Sequence, residues 1–486
     1  MPITIDQIIT QVKKNYPQSD TDMLQLAYDF ASKAHDGQKR KSGEPYIQHC
    51  LGTALTLADI RAETDVVVAG LLHDVPEDTS STLADIEKNF GKKIASLVEG
   101  ITKIGTIKYR GVTRYVENLK KMFIAMASDI RVLIIKFADR LNNLETLDAL
   151  PEEKRLRIAA ETMEIYVPIA ALLGMWYFKH QMEDLCFQHL YPEEYKKLEY
   201  RYQIEQKLET KQFIQKTKNI LLPKLSAEGM NVDIEGRFKS LYSIFQKMQK
   251  KERKFSEIYD VFALRIVTAS IADCYRVIGI IHAIWKPKSQ RFKDYIAVPK
   301  PNGYRALHTT VFGPGGKLTE FQVLTDKMYE ESLYGIAAHW YYKNKKTNLE
   351  KQPRWITEIL DIMRTAANEK EFVSDIKLSV FQNRIFVFTP KGDVIDLPEG
   401  ATPIDFAYAV HTHIGNHCVG VLINDRMATL ETRLRSGDVV EIITDKRRAT
   451  PGRDWLKIAT TQRARAKIKT ALKEQGGRFS KLIPWR

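Results

Sequence analysis

Long apolar runs are missing from this 486-residue chain. The longest clearly apolar stretch, Val66 to Leu72, falls far short of the roughly 20 residues that a membrane-spanning helix needs, so no membrane partner is expected. Cysteine is scarce too: Cys50, Cys186, Cys274 and Cys418 are scattered with no CxxC pair. That spacing excludes a disulfide framework and a cysteine zinc site, and leaves any metal to His and carboxylate. The N-terminus, Met1-Pro2-Ile3-Thr4-Ile5-Asp6, has no basic segment followed by an apolar one and does not read as a secretory signal. A cytoplasmic protein is expected. General disorder is excluded by 44% hydrophobic against 28% charged residues.

Positive charge is in surplus, with 74 Lys and Arg against 60 Asp and Glu, a net of +14. It is unevenly spread. Residues 1–195 carry 23 basic and 28 acidic groups, whereas residues 196–486 carry 51 and 32. An acidic front and a basic back suggest different partners, the back meeting polyanions such as nucleotide phosphates or RNA. A solubilising lysine surface is the bland alternative.

At roughly 100 to 200 residues per domain the length suggests three or four domains. Up to residue 195 the apolar positions recur at helical spacing: Met23, Ala27, Phe30, Ala31 and Ala34 behind a capping Asp20, then Leu51 to Ile60, Val66 to Leu72, Ile94 to Ile101, Val116 to Ala127 and Leu156 to Leu173. An all-α domain is expected over 1–195. Between 196 and 345 β-branched runs such as Val261 to Val267 alternate with helical stretches such as Lys239 to Lys250, an α/β texture. Residues 346–383 read as a helical connector. Ile385 to Thr389, the turn Pro390 to Asp393 and the returning Val394 to Leu397 open a small β-rich module over 384–445. The tail, 446–486, holds 13 basic and 2 acidic residues.

The densest chemistry lies in the front domain. His73 and Asp74 end an apolar helix that would present both rigidly, and His49 and Asp139, on helical segments of their own, complete a His2Asp2 set. Mixed imidazole and carboxylate ligation suits Mn²⁺, Fe²⁺ or Zn²⁺ better than Ca²⁺. Such a metal lowers the pKa of bound water and polarises a phosphoryl oxygen, so phosphate-ester hydrolysis is the natural chemistry. Glu77 and Asp78, one helical turn on, are placed for a general base or to orient the water. Arg40 and Lys41 could bind phosphate or stack on a base.

These stretches, Arg40-Lys41-Ser42-Gly43-Glu44-Pro45-Tyr46-Ile47-Gln48-His49, His73-Asp74-Val75-Pro76-Glu77-Asp78-Thr79 and Lys136-Phe137-Ala138-Asp139-Arg140-Leu141-Asn142-Asn143, resemble the HD-type hydrolase domain of the RelA/SpoT family of long alarmone synthetase/hydrolases. The resemblance implies Mn²⁺ on His49, His73, Asp74 and Asp139, Glu77 and Asp78 serving the attacking water, and Arg40, Lys41 and Asn143 holding the nucleotide. The implied reaction removes the 3′-pyrophosphate from (p)ppGpp, giving GDP or GTP. Asn142 stands where the family usually has His, a position that is not a metal ligand in the family pattern. His35 is given a structural role.

In the middle domain Gly236 to Ile244, with Lys247, reads as a basic helix face suited to a triphosphate. Asp260 and Glu320, on neighbouring strands, are candidate Mg²⁺ carboxylates. Lys293 and the loop Lys300-Pro301-Asn302-Gly303-Tyr304-Arg305-Ala306-Leu307-His308 add cations and an exposed aromatic. The segments resemble the family's nucleotidyltransferase-like synthetase domain, which moves pyrophosphate from ATP to the 3′-hydroxyl of GDP or GTP. The match carries Arg237, Lys239, Ser243, Lys247, Lys293, Lys300, Asn302 and His308 into the nucleotide set and gives Tyr304 guanine stacking. It gives Asp260 and Glu320 Mg²⁺, with Glu320 also placed to activate the hydroxyl; positioning and charge neutralisation supply most of such catalysis. The basic Arg291-Phe292-Lys293-Asp294 looks like the variant of bifunctional and hydrolase-leaning members. Leu324, Tyr329 and Leu333 depart from the usual Arg, His and Glu, and loss of a phosphate-side guanidinium at 324 would cost transition-state stabilisation.

Residues 384–444 resemble the family's β-grasp-like TGS domain, above all Ala401-Thr402-Pro403-Ile404-Asp405-Phe406-Ala407-Tyr408-Ala409-Val410-His411-Thr412. The likeness makes His411 an RNA contact, with the ribosome and uncharged tRNA as partners, in preference to a metal site with His413 and His417. A hydrolase-biased bifunctional enzyme is the leading reading. A hydrolase with a guanine-nucleotide sensor in the middle, and a non-enzymatic ribosome- or tRNA-binding regulator, are the alternatives.

Overall fold

A computed structural model describes residues 2–105, 122, 129–202, 207–251, 262–289, 291–300, 303–335, 384–435, 437–445, 447 and 450–480. The chain divides into two units, Met1–Asn348 and Leu349–Arg486. The first unit opens with α1 (Ile5–Asn15), α2 (Asp22–Ala34), α3 (Ile47–Asp59), α4 (Thr64–Leu72), α5 (Val75–Asp78), α6 (Leu83–Gly105) and α7 (Ile130–Glu145). Every residue of α4 from Val66 to Leu72 is buried, as a helix apolar on all sides requires. Asp20 sits one residue outside its expected place. Thr21 is the N-cap of α2, while the Asp20 carboxylate accepts from the Asp22 N–H at 3.0 Å. Of the helical stretch expected over Val116 to Ala127, all but Met122 lies outside the described residues.

The stretch read as one helix over Leu156 to Leu173 is α8 (Glu152–Glu161), a single π turn (Thr162–Tyr166) and α9 (Val167–Leu172). It leads into α10 (Trp176–Leu190) and α11 (Pro192–Arg201). Arg140, next to Asp139 on α7, is gripped at this turn, donating to Glu161 at 2.9 Å and to the Tyr166 hydroxyl at 2.7 Å.

The α/β part follows as α12 (Lys207–Ala227), β1 (Asp233–Phe238), α13 (Leu241–Lys251), β2 (Phe262–Thr268), α14 (Ile271–Ile284), β3 (Lys293–Asp294), β4 (Leu307–Phe312), β5 (Leu318–Thr325) and α15 (Asp326–Tyr334). The sheet order is β1-β2-β5-β4-β3, with β2 and β5 parallel and the other neighbours antiparallel. Its apolar face, including Ile234, Leu264, Ile266, Phe321 and Val323, packs on Leu221, Leu225, Cys274, Val277 and Ile281 of α12 and α14. Alternation along each strand therefore sends a polar set to the other face. Lys239, expected on a helix, lies in the β1–α13 connection. The helix starts only at Leu241, where the Ser240 hydroxyl accepts from Ser243 N at 3.3 Å and Asp184 of α10 accepts from Tyr242 N at 3.0 Å.

In the second unit β6 (Arg384–Phe388) and β7 (Val394–Pro398) form the expected hairpin. After them come α16 (Pro403–Val410), α17 (Thr412–His417), β8 (Cys418–Ile423), β9 (Arg426–Ala428), β10 (Val440–Thr444), α18 (Trp455–Ile458) and α19 (Gln462–Ser480). Trp455, Ala459, Ala464 and Ile468 share one core with Ile404, Tyr408 and Cys418. The buried Asp405 carboxylate ties the same segments, accepting from Thr402 N at 2.8 Å, Thr460 N at 3.0 Å and Thr461 N at 2.7 Å. No helix among the described residues is long and apolar enough to cross a membrane.

Candidate functional site

Three helices bring the front-domain donors together. His49 comes from the first turn of α3, His73 and Asp74 from the α4–α5 junction, and Asp139 from the middle of α7. His49 Nε2 lies 3.3 Å from Asp74 Oδ2 and 3.3 Å from Asp139 Oδ1, and His73 Nε2 lies 3.2 and 3.8 Å from the same two oxygens. Both Nε2 atoms are buried without a hydrogen-bond partner. Buried imidazole nitrogens left so are costly; with Asp74 they form a group close enough to hold a divalent transition metal, and Asp139 Oδ1 lies within 3.8 Å of both nitrogens at its edge.

Electrostatics agree with that fit. Burial would hold His49 down, yet the Asp139 and Asp74 carboxylates that face its Nε2 outweigh burial and lift its pKa to about 9. Asp74 and Asp139 are themselves held well below the usual carboxylate range despite burial, Asp74 mainly by His73 and His49, Asp139 first by Lys136. Lys136 Nζ is 2.7 Å from Asp139 Oδ2, which leaves Oδ1 turned toward the histidines. Glu77 is the exception, because burial raises its pKa.

Around this cluster Arg40 donates to Asn143 Oδ1 at 2.7 Å and to Thr146 Oγ1 at 3.2 Å, and Asn143 Nδ2 reaches Asp139 Oδ1 at 2.5 Å. The structure thus joins Arg40 and Asn143 to the donors, with Lys41 exposed beside Arg40. His35 is buried under Tyr46, their rings stacked at 4.6 Å. Sequence reasoning gave Tyr46 no role. Its hydroxyl lies 2.8 Å from Asp74 Oδ2 and 2.6 Å from Asp78 Oδ2, bridging the two carboxylates. The signal available was its place one turn before His49.

On the sheet, strand register aligns Glu235, Arg265, Gln322, His308 and Lys293 in one row, and Arg237, Ala263, Glu320 and Thr310 in the next. Glu320 Oε1 lies 3.4 Å from His308 Nδ1 and 3.1 Å from Gln322 Nε2. Burial would raise Glu320, but these contacts and the Lys239 charge bring its pKa down to about 2. Tyr304 is half-buried, not exposed as expected, because its hydroxyl pairs with His308 Nε2 at 2.8 Å. Lys300 Nζ stands 5.1 Å from the Tyr304 ring and 4.7 Å from that of Tyr295. Ser243 and Lys247 are on α13. Asp260 and Asn302 lie outside the described residues.

A cavity of about 300 Å³ opens beside this row. Arg265, Lys300, Tyr304 and His308 line one side, and Trp176, Tyr177, His180 and Gln181 of α10 line the other. No local motif marks the α10 residues, which arrive through folding from far along the chain. Leu333 lines the cavity as well. Leu324 is buried with Ala306 and Met328, against Tyr304 and Tyr329. Tyr329 stacks under the Arg265 guanidinium at 4.3 Å and donates to Glu235 at 3.3 Å.

Residues 27–176 match the HD domain family, 236–347 the region found in RelA/SpoT proteins and 385–444 the TGS domain family. A guanosine-3′,5′-bis(diphosphate) 3′-pyrophosphohydrolase of Aquifex aeolicus is 42% identical over 97% of this chain and 68% of its own length. The chain belongs to the RelA/SpoT family. Other relatives include the bifunctional (p)ppGpp synthase/hydrolase SpoT of Escherichia coli, 42% identical over 96% of this chain and 67% of its own, and a GTP pyrophosphokinase of Myxococcus xanthus, 40% identical over 96% and 62%. The chain therefore spans about two thirds of the length of these RelA/SpoT relatives. Its helical, mixed-sheet and small β-rich parts stand in the family's order, and the HD domain is that of a divalent-metal-dependent hydrolase.

Proposed function

We propose that this RelA/SpoT chain hydrolyses (p)ppGpp to GDP or GTP and pyrophosphate in residues 1–195, and makes (p)ppGpp in residues 196–345. The convergence of two buried histidine nitrogens on Asp74 and Asp139 carries the first half. Mn²⁺ held by His49, His73, Asp74 and Asp139 would supply Lewis acidity for water and phosphoryl oxygen. Glu77 takes the water proton, its raised pKa bringing it toward the working range of a base. Asp78, anchored by the Tyr46 hydroxyl, orients the water. Arg40, itself oriented by Asn143, and Lys41 hold the nucleotide.

For synthesis, the 3′-hydroxyl of GDP or GTP attacks the β-phosphorus of ATP and AMP leaves. Glu320, fully ionised and a weak base at a pKa of about 2, is assigned with Asp260 to hold Mg²⁺. Arg237, Lys239, Ser243, Lys247, Lys293, Lys300, Asn302 and His308 neutralise and place the phosphates, and Tyr304 stacks on guanine. In the second unit His411 and the basic α19 are assigned to RNA, on the ribosome and uncharged tRNA, in the cytoplasm.

Purified protein should release pyrophosphate from ppGpp with Mn²⁺, and Asp74→Ala should abolish this. It should also form ppGpp from ATP and GDP with Mg²⁺, and Glu320→Ala or Asp260→Ala should abolish that. No Mn²⁺-dependent loss of ppGpp refutes the hydrolase. Nucleotide binding without ppGpp formation would make the middle part a sensor.

A further inference from the structure

The two candidate histidine ligands offer the same nitrogen, and each ring is fixed at the other one. His73 Nδ1 lies 2.8 Å from the carbonyl oxygen of Gly70, on the same helix. A carbonyl only accepts, so Nδ1 carries the proton and Nε2 faces the carboxylates. For His49 the partner is a side chain from another helix: Nδ1 lies 2.6 Å from Asn142 Oδ1, an atom 93 residues away in sequence. The amide cannot turn over at no cost, because its Nδ2 faces Glu145 Oε2 at 3.4 Å, and a carboxylate oxygen accepts only. The packing that permits this contact is unusually close. A Cβ at Gly52, one turn beyond His49 on α3, would stand 2.3 Å from Asn142 Nδ2 and 3.0 Å from its Cγ. Position 52 is therefore a slot for the Asn142 amide.

We propose that Asn142 is a positioning residue of the hydrolase site: it fixes His49 with its proton on Nδ1 and Nε2 aimed between Asp74 and Asp139, and Gly52 exists to admit it. The proposal rests on the metal-site reading above. It also gives a use to the residue at which this chain departs from the family's usual His. An imidazole there would donate or accept according to its protonation, whereas the amide oxygen accepts under all conditions. Partners that orient a ligating histidine in this way typically change metal affinity about 10- to 100-fold when removed.

The test is Mn²⁺ binding to the full chain, read from the electron paramagnetic resonance signal of the free ion. Melting temperature and ppGpp formation from ATP and GDP serve as controls that the rest of the protein is intact. Asn142→Leu keeps the size and loses the acceptor, and Asn142→Asp keeps the acceptor. Gly52→Ala pushes the amide out of its slot. Weakening of Mn²⁺ binding by about 10- to 100-fold is expected for Asn142→Leu and Gly52→Ala, with Asn142→Asp within about threefold of the parent; Asn142→Ala replaces the Leu variant if that one does not fold. If Asn142→Leu binds like the parent, or if Asn142→Asp loses as much as Asn142→Leu, the proposal is wrong while the metal site stands. A parent protein that binds no Mn²⁺ overturns both.

Discussion

Replacing Tyr46 by Phe would remove a single oxygen from the hydrolase site. That hydroxyl serves Asp74 Oδ2 at 2.8 Å and Asp78 Oδ2 at 2.6 Å, one proton between two carboxylates. Burial, then the Asp74 charge and the two hydrogen bonds, push the phenol well above its ordinary pKa, so the proton stays in place throughout the working pH range. A hydrogen bond to a charged group is worth about 1.5–3 kcal/mol. If that is lost only as the reaction proceeds, kcat falls about 10- to 150-fold. The ring contacts with His35 and His49 do not need the oxygen, so the melting temperature should barely move. Initial rates of pyrophosphate release from ppGpp at saturating Mn²⁺ read the effect, with ppGpp synthesis in the same preparation as the internal control. We expect kcat for hydrolysis to fall with KM within about twofold and synthesis unchanged. A loss under about threefold, or an equal loss in both activities, refutes the bridging role.

Asp184 on α10 caps α13, the helix that carries Ser243 and Lys247; Asp184→Ala should cost about 0.5–2 kcal/mol and raise KM for ATP, while Asp184→Asn should keep the KM. Because burial raises the Asp184 pKa in the folded protein, its contribution favours folding below the unfolded-state value and is lost as pH rises through the folded one. Asp184→Asn should therefore gain stability on the parent as pH rises above the ordinary aspartate value of about 3.9, measured by urea unfolding, and the opposite trend would contradict the cause assigned to the shift. Asp405→Ala should leave the Thr460 and Thr461 N–H groups without their acceptor and cost about 3 kcal/mol or more. Trypsin should then cut α19 early, and unaltered resistance would show that the packing around Trp455 suffices. Leu324→Arg should bury a guanidinium in the cluster of Ala306 and Met328, lowering stability by about 3 kcal/mol without speeding synthesis. Faster synthesis at an unchanged melting temperature would mean that position 324 faces the nucleotide.

The His and Asp cluster of the front domain was legible because its members are uncommon side chains in short local patterns on strongly periodic helices. His73 and Asp74 end α4, and Glu77 and Asp78 follow within α5. What lay hidden was contact through space. Nothing near Asn142 in sequence announces His49, and nothing near Trp176 or His180 announces the cavity at Tyr304. The row of Glu235, Arg265, Gln322, His308 and Lys293 exists only once the strand register is known. A basic run resembles a helix face, so the pattern alone puts Lys239 on a helix. The caps from Ser240 and Asp184, one of them from a distant helix, set the start two residues later.

The departures at 324 and 329 show why single positions mislead where side chains repack together. Read alone, Leu324 is a missing cation and Tyr329 an unrelated change. In the fold both belong to one cluster: Leu324 is buried against Tyr304 and Tyr329, and the Tyr329 ring takes the Arg265 guanidinium at 4.3 Å while its hydroxyl reaches Glu235. Arg265 itself lines the cavity beside Lys300 and His308. A cation is thus present at the cavity wall, supported by an aromatic face and supplied by the strand next to β5. Loss of charge at 324 is then no measure of lost catalysis. Two changes that look like separate defects form one apolar and aromatic support under the residues assigned to guanine and phosphate, which is why adding Arg at 324 alone should damage the protein and not repair it.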